Sequence, residues 1–171
     1  ERQVERFPEE ENAWFDLGQL YIEQEDFPSA VRAYDELEQL IGLNQEVGFR
    51  KHQLYVFMDQ PENALKELAN LIDFFPGDER NYQARFEVLL QMEREEEAIL
   101  SLEALLEVNP ADAFALLALA DYYKSEGDFK KSDEYLFRAF ENPNVELTSK
   151  LKNLRELSEF ARRDHKVRER K

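Results

Sequence analysis

The sequence contains no cysteine, which excludes disulfides, thiolate metal sites and a cysteine nucleophile. This absence leaves the compartment open, cytoplasmic or exported, because many exported proteins also lack disulfides. Histidine is scarce as well, with two in 171 residues, and no HExxH, phosphate loop or nucleotide fingerprint is present. His52 falls in a packing column, where a structural histidine is favoured over a catalytic one. We therefore expect no catalytic residue, no metal site, no cofactor and no enzymatic activity.

Long apolar runs and helix-breaking residues are also few. No run approaches the roughly 18 apolar residues that a membrane span needs, and no signal peptide is visible. Five glycines and six prolines, together with abundant Leu, Ala and Glu, predict an almost wholly helical chain. Because the sequence begins at Glu1 rather than methionine, we expect it to be a piece of a longer protein.

Acidic residues outnumber basic ones, and the formal net charge is −16 at pH 7. Residues 150–171 run against this trend, with nine Lys/Arg and four Asp/Glu. A strongly acidic body repels phosphate backbones, so we expect no nucleic-acid partner. The basic stretch from Arg162 has two interpretations, a membrane or nucleic-acid patch and a solvated terminus, and the second is the more common.

A regular spacing links apolar and small residues along the chain. Trp14, Leu17, Gly18 and Tyr21 lie on one face of a helix, where a glycine costs roughly 1 kcal/mol relative to alanine. A step of 34 residues then aligns three columns, which indicates a repeat architecture. The columns are Ala30, Ala64, Ala98 and Ser132; Tyr21, Tyr55, Leu89 and Tyr123; and Leu37, Leu71, Leu105 and Ala139. Where a ring such as that of Tyr21 or Tyr123 is fully buried, its removal is expected to cost about 3–5 kcal/mol.

Each 34-residue unit holds two helical patterns separated by a short breaker. Proline, glycine and capping residues such as Asp78, Asp112 and Asn109 separate them. The predicted helices span residues 11–24, 28–41, 45–58, 61–75, 79–92, 95–108, 112–125 and 129–141.

The unit resembles the tetratricopeptide repeat (TPR), a 34-residue helix–turn–helix. Repeats at 11–44, 45–78, 79–112 and 113–146 follow its pattern of large, small and aromatic residues. The resemblance implies an all-α fold, a right-handed α-α superhelix of antiparallel helix pairs. The middle repeats depart from the pattern at Lys51, His52, Arg85 and Phe86, which predicts looser or differently angled pairs. Around the repeats we expect the end of a truncated repeat at 1–10, a capping helix at 147–163 and a basic tail at 164–171.

The resemblance also implies a concave groove lined by the first helix of each repeat. In this family four positions of that helix point into the groove, and some relatives use Lys, Asn and Arg there to hold a peptide carboxylate. The matching columns here hold Phe15, Gln19, Phe49, Gln53 and Gln83, so the carboxylate clamp of chaperone-binding relatives is not expected. The predicted groove residues are Asn12, Phe15, Gln19, Ile22, Glu46, Phe49, Gln53, Val56, Arg80, Gln83, Glu87, Leu90, Phe114, Leu117, Asp121 and Lys124.

Two functions fit these residues. The groove could bind a peptide or protein segment, with Phe15, Phe49 and Phe114 as apolar anchors and Gln19 and Gln53 bonding its backbone. The same rings could instead pack against neighbouring first helices. The chain would then be a rigid spacer or an assembly segment of a larger scaffold, with self-association left open. In either case the compact repeats look similar to those of large bacterial TPR proteins, and the partner would be a protein.

Overall fold

Eight α-helices account for the part of the chain that the structure describes. The computed structural model describes the backbone of residues 8–141 and the side chains of residues 11–141. No strand occurs between residues 8 and 141. None of the eight described helices combines the length and apolar composition that crossing a bilayer requires. The helices are α1 (Pro8–Glu23), α2 (Phe27–Ile41), α3 (Gln45–Phe57), α4 (Pro61–Phe74), α5 (Glu79–Gln91), α6 (Glu95–Val108), α7 (Ala113–Ser125) and α8 (Phe129–Glu141).

The observed helix bounds agree with the predicted bounds to within about a residue, except at the first helix. That helix begins at Pro8, three residues before its predicted start, so residues 8–10 form its first turn. They had been assigned to the end of a truncated repeat. Residues 1–7, the expected capping helix at 147–163 and the basic tail at 164–171 lie outside the described residues.

The chain divides into two compact units, residues 1–108 and residues 109–171. In the first unit α1 packs on α2, α3 on α4 and α5 on α6, and these pairs stack through α2 on α3 and α4 on α5. In the second unit α7 packs on α8. Successive helices thus form the pairs that a 34-residue period predicts.

Small residues lie at the centres of the helix pairs. Ala30, Ala64 and Ala98 are fully buried, Ser132 is nearly so, and the leucine column that ends at Ala139 is buried too. The packing explains why α1 contains a glycine despite its cost in helix stability. A Cβ on Gly18 would overlap the buried ring of Tyr34. The missing side chain therefore lets α2 place an aromatic ring directly against α1.

In repeat two, α3 and α4 approach each other closely at a position one helical turn earlier than the TPR pattern predicts. A Cβ on Gly48 would lie 2.8 Å from Cδ2 of Leu71, so α3 and α4 meet closely at this glycine. Lys51 and His52, which replace the expected leucine and small residue, are nevertheless both buried. The departures therefore do not loosen this pair; Gly48 takes over the role of the small residue.

The turn inside each repeat has the same backbone conformation at the same position. Glu25, Asp59 and Glu93 have φ values of 58°, 55° and 58°, and Gly127 has a φ of 79°. These four residues are 34 apart, so the repeat is present in the backbone as well as in the side chains. Only the last is glycine, the residue that adopts this left-handed conformation without steric cost.

Replacing Glu93 by glycine is expected to raise the free energy of unfolding by about 1 kcal/mol, because glycine relieves the left-handed strain. Urea unfolding followed by circular dichroism measures this change. The control is Glu96→Gly in the first turn of α6, where glycine should destabilise by about 1 kcal/mol. A loss of stability in Glu93→Gly equal to that of the control would contradict the prediction.

Side-chain caps begin several of the helices. Asp78 accepts a hydrogen bond from the Arg80 amide at 3.1 Å, and Asp112 accepts one from the Ala115 amide at 2.8 Å. Both were predicted as caps. Asn109 accepts a bond from the Ala111 amide in the turn before α7. These bonds satisfy backbone donors that a helix start leaves free.

Candidate functional site

The residues predicted to line a groove all lie on the first helix of a pair, and none of them is buried. Between them on the same helices, Gly18, Lys51 and His52 are buried. Each first helix therefore has one packed face and one accessible face. The groove residues of the second unit lie on α7 by themselves, where Leu117 is half-buried and the others are exposed: Phe114, Asp121 and Lys124. We call the accessible residues of the first unit the first-helix surface: Asn12, Phe15, Gln19, Ile22, Glu46, Phe49, Gln53, Val56, Arg80, Gln83, Glu87 and Leu90.

Two phenylalanine–arginine pairs cross this surface from one first helix to the next. The guanidinium carbon of Arg50 on α3 lies 5.3 Å from the ring centre of Phe15 on α1. Arg80 on α5 lies 5.1 Å from the ring centre of Phe49 on α3 in the same way. Such cation–π contacts contribute roughly 0.5–1 kcal/mol at exposed sites. Both rings remain half-buried, so they pack against the neighbouring helix and also keep an accessible portion.

Carboxylates hold both arginines in place. Glu46 accepts a hydrogen bond from Nε of Arg50 at 3.1 Å, one helical turn away. Asp78 accepts bonds from Nε and Nη2 of Arg80 at 3.1 and 2.8 Å, and it also pairs with the amide of Gln45. The charges at this end of the first-helix surface are therefore paired within the protein, which leaves them less available to a ligand.

A cleft opens between the C-terminal halves of α3 and α5. Its volume is about 400 Å³, within the range of small ligand sites. We call it the α3–α5 cleft. It is lined by His52, Gln53, Val56, Phe57, Ala84, Glu87, Val88 and Gln91.

The cleft contains three residues of the predicted groove, Gln53, Val56 and Glu87, and brings them together with residues that sequence reasoning missed. Phe57 is the most important of these, because 74% of its surface is exposed and its ring stacks on that of Phe27 at 5.8 Å. The signal for Phe57 was a large aromatic residue beside a breaker, at a position that the packing columns do not use.

His52 forms the buried end of the cleft lining. Its side chain is 5% exposed and meets the Phe49 ring edge-on at 4.3 Å between ring centres. Burial lowers the pKa of His52 to about 4, so the imidazole is neutral at pH 7. Its Nδ1 atom has no hydrogen-bond partner in the described structure. The packing supports the prediction of a structural histidine and leaves one polar nitrogen unsatisfied.

A buried ion cluster lies around Lys51, the neighbour of His52 on α3. Nζ of Lys51 is 2.8 Å from Asp35, 2.7 Å from Glu38 and 3.2 Å from Glu67. The cluster joins α2, α3 and α4, and therefore repeats one and two. Gly48, one turn away, leaves space beside Glu67, whose Oε1 would lie 3.3 Å from an added Cβ.

The cluster shifts the pKa values of two of its members, Lys51 and Glu67. Burial opposes the charge on Lys51, but the three carboxylates outweigh burial and raise the pKa of Lys51 above its ordinary value. Burial raises the pKa of Glu67, and Lys51 opposes this effect. One oxygen each of Glu38 and Glu67 has no hydrogen-bond partner in the described structure. The lysine is therefore the cation that faces these carboxylates inside the protein.

The second unit has its own aromatic and basic surface. The rings of Tyr123 and Tyr135 stack at 5.7 Å, with Lys131 4.5 Å from the first ring centre and Arg138 5.5 Å from the second. Phe114, predicted as an anchor, is 39% exposed. Within residues 11–141, no group of three or more His, Asp and Glu side chains is arranged to hold a metal ion.

Comparisons with known proteins give a consistent result. No protein-family model matches the sequence. The chain is 32% identical over 87 residues to the TPR repeat-containing protein YpiA of Bacillus subtilis (strain 168), covering 51% of this chain and 21% of YpiA. Among solved structures, MamA is similar with a TM-score of 0.61 and 21% identity, over 79% of this chain and 74% of MamA.

A second solved structure, YrrB, is described as a TPR protein with an unusual peptide-binding site. It matches with a TM-score of 0.59 and 19% identity, over 85% of this chain and 74% of YrrB. The chain is similar in sequence to a TPR repeat-containing protein and shares the fold of solved TPR proteins. The resemblance to the TPR family and the all-α fold of helix pairs that it implies are thereby confirmed. The matched part of the chain spans about a fifth of the length of YpiA. The structural likenesses concern the fold alone.

Proposed function

We propose that this chain, which has the fold of TPR proteins, is a non-catalytic interaction module that holds a segment of a partner protein against its first-helix surface. The observation that carries the proposal is the continuous accessible face of α1, α3 and α5. This face contains half-buried rings, amides and a cleft, although the residues between them are buried. Exposed apolar patches that are rimmed by polar residues mark sites of protein contact when they are contiguous.

The amides and the rings have separate parts in this proposal. Gln53 is exposed and Gln19 and Gln83 are half-buried, one on each of three successive first helices. Amide side chains offer both a donor and an acceptor, which suits the backbone of an extended peptide. The accessible edges of Phe15 and Phe49 would contact its apolar side chains. YrrB, which has a similar fold and is described as having a peptide-binding site, adds support by analogy.

A spacer within a larger scaffold is the second candidate, and the phenylalanine–arginine pairs favour it. Each pair connects adjacent repeats and covers part of the ring that a ligand would use. In that case the first-helix surface would stiffen the stack rather than bind a segment. The two candidates make opposite predictions about whether peptides can be selected on this surface.

Selection of a random peptide library displayed on phage against the immobilised full chain tests the proposal. We expect peptides that bind the protein with micromolar affinity, measured afterwards by calorimetry. The variant Phe15→Ser/Phe49→Ser should weaken binding at least tenfold, because two apolar anchors that a ligand covers are together worth more than about 1.4 kcal/mol. Unchanged far-UV circular dichroism would show that the variant remains folded.

The matched control is Phe74→Ser/Phe137→Ser, which removes two exposed phenylalanines from the second helices α4 and α8. It should leave peptide affinity unchanged. A selection that yields no specific peptide would contradict the proposal and favour the spacer. So would peptides whose affinity depends on the control pair rather than on Phe15 and Phe49.

A further inference from the structure

We infer that the α3–α5 cleft binds an arginine side chain of the partner segment. The inference rests on the proposed function and adds the chemistry of one contact. It depends on four features of the cleft that occur together: an apolar wall, acceptor groups, an exposed aromatic ring and a neutral base. The first three match different parts of an arginine side chain, and the neutral base adds no charge that would repel it.

The apolar wall fits the stem of the arginine. Val88 is buried, Ala84 is nearly buried and Val56 is half-buried, and all three line the cleft. Long cationic side chains bury their methylene groups along such apolar surface while the charged head remains near water. A cleft of about 400 Å³ provides space for the stem and for the head group.

The acceptor groups fit the guanidinium. Glu87 is exposed beside the cleft and makes no ion pair with any residue between 11 and 141. Gln53 and Gln91 add two amide oxygens on opposite walls of the cleft, one from α3 and one from α5. A guanidinium has five donors in a fixed plane, and a lone carboxylate with neighbouring amides can accept several of them.

The aromatic ring and the histidine favour a cation over an anion. Phe57 is 74% exposed, and a guanidinium stacks on an aromatic face more readily than an ammonium does. His52 is uncharged at pH 7, so it adds no positive charge that would repel the ligand. The net charge of −16 favours the approach of cationic ligands in general.

The other aromatic rings of the first-helix surface already have arginine partners within the chain, which is why we assign the partner's arginine to the cleft. Arg50 and Arg80 already occupy the faces of Phe15 and Phe49, and Glu46 and Asp78 already hold these arginines. In the cleft the corresponding components, Phe57 and Glu87, are present, and no arginine from residues 11–141 lines the cleft with them. A partner's arginine would repeat there the arrangement that the chain makes with its own arginines.

Titration of the ¹⁵N-labelled full chain with N-acetyl-arginine amide, followed by NMR, tests the inference directly. We expect binding on the order of 1–10 mM, the range for a single side chain, with shift changes at Gln53, Val88 and the Gln91 amide. N-acetyl-citrulline amide has nearly the same shape without the charge and should cause no such changes. Equal shift changes with both compounds, or shift changes spread over the acidic surface, would overturn the inference.

Variants test whether the arginine analogue binds in the α3–α5 cleft. Glu87→Gln should weaken binding of N-acetyl-arginine amide about tenfold, since it removes the charge that the guanidinium meets. Phe57→Leu should weaken it about threefold through loss of the cation–π contact. The matched control is Glu96→Gln, an exposed carboxylate on α6 that does not line the cleft. An equal effect of Glu87→Gln and Glu96→Gln would show a general charge effect and overturn the inference.

The phage selection separates this inference from the proposed function. If both hold, the selected peptides share an arginine, and Glu87→Gln weakens them. If peptides bind through Phe15 and Phe49 but share no arginine, and if Glu87→Gln leaves their affinity unchanged, the inference fails and the proposed function stands. If no peptide is selected, the proposed function fails, and with it the assignment of the cleft to a partner segment.

Discussion

Replacing Lys51 by methionine is expected to lower the free energy of unfolding by about 3–5 kcal/mol at pH 7, the usual cost of removing one partner from a buried ion cluster. Methionine has a similar length and fills the space, so the loss is electrostatic rather than a loss of packing. Glu38 and Glu67 would remain in the protein interior without the cation that neutralises them. Urea unfolding followed by circular dichroism measures the change.

The loss in the free energy of unfolding that Lys51→Met causes, its stability deficit, should depend on pH in a defined direction. Burial raises the pKa of Glu67 in the folded protein, and loss of Lys51 would raise that pKa further. A carboxyl group with a raised folded-state pKa disfavours folding when it is charged, and it ceases to do so once it is protonated. The deficit is therefore largest at pH 7 and should shrink as pH falls towards 4.5, the ordinary pKa of a glutamate.

Two further variants check this explanation. Adding Glu67→Gln to Lys51→Met should recover part of the lost stability at pH 7, because it removes one unpaired charge. Lys66→Met, an exposed lysine on α4, should change stability by less than about 0.5 kcal/mol. A deficit that is the same at pH 7 and pH 4.5 would show that Lys51 acts through packing and not through charge.

Replacing Tyr34 by alanine is expected to cost about 3–5 kcal/mol, the range for removing a fully buried aromatic ring. The sequence pattern had suggested Tyr21 and Tyr123 for this role, but both are only half-buried. Tyr34 is fully buried and contacts Phe15 at 6.0 Å between ring centres. Thermal and urea unfolding measure the loss, and Phe137→Ala, which removes a ring that is 71% exposed, serves as the control.

A double-mutant cycle with Gly18 shows whether the ring is placed as described. Gly18→Ala alone should cost about 1–3 kcal/mol through overlap with Tyr34, despite the better helix propensity of alanine. In the Tyr34→Ala background the same change should stabilise by up to about 1 kcal/mol, because the space is vacant. Additive effects of the two substitutions would contradict the close contact between α1 and the ring.

The repeat period allowed the fold to be predicted from the sequence in detail. Residues that recur every 34 positions are buried together, as Ala30, Ala64 and Ala98 show, because each helix pair packs on its neighbour in the same way. Helix ends followed from proline and from caps such as Asp78. The period predicts which residues occupy equivalent places, and this information suffices for the architecture.

The contacts between different repeats could not be predicted in this way. Nothing in the spacing connects Lys51 with Glu38 and Glu67, since each belongs to a different column. Likewise, Phe15 and Phe49 were predicted to be accessible, and their arginine partners come from the next repeat at positions that are not equivalent. Such pairs depend on side-chain reach across the stack, which a linear pattern does not contain. Whether the predicted groove residues bind a ligand stays a prediction.

The ion cluster makes the order of the repeats specific. Lys51 needs two carboxylates from the second helix of the preceding repeat, and only repeat one offers both. If another repeat were placed before residues 45–78, Lys51 would face either two uncharged side chains or one carboxylate and one uncharged side chain. Four similar modules are thus not interchangeable building blocks, since one junction admits a single neighbour. The pairs equivalent to Asp35 and Glu38 are Ala69 and Ile72, Glu103 and Leu106, and Phe137 and Phe140.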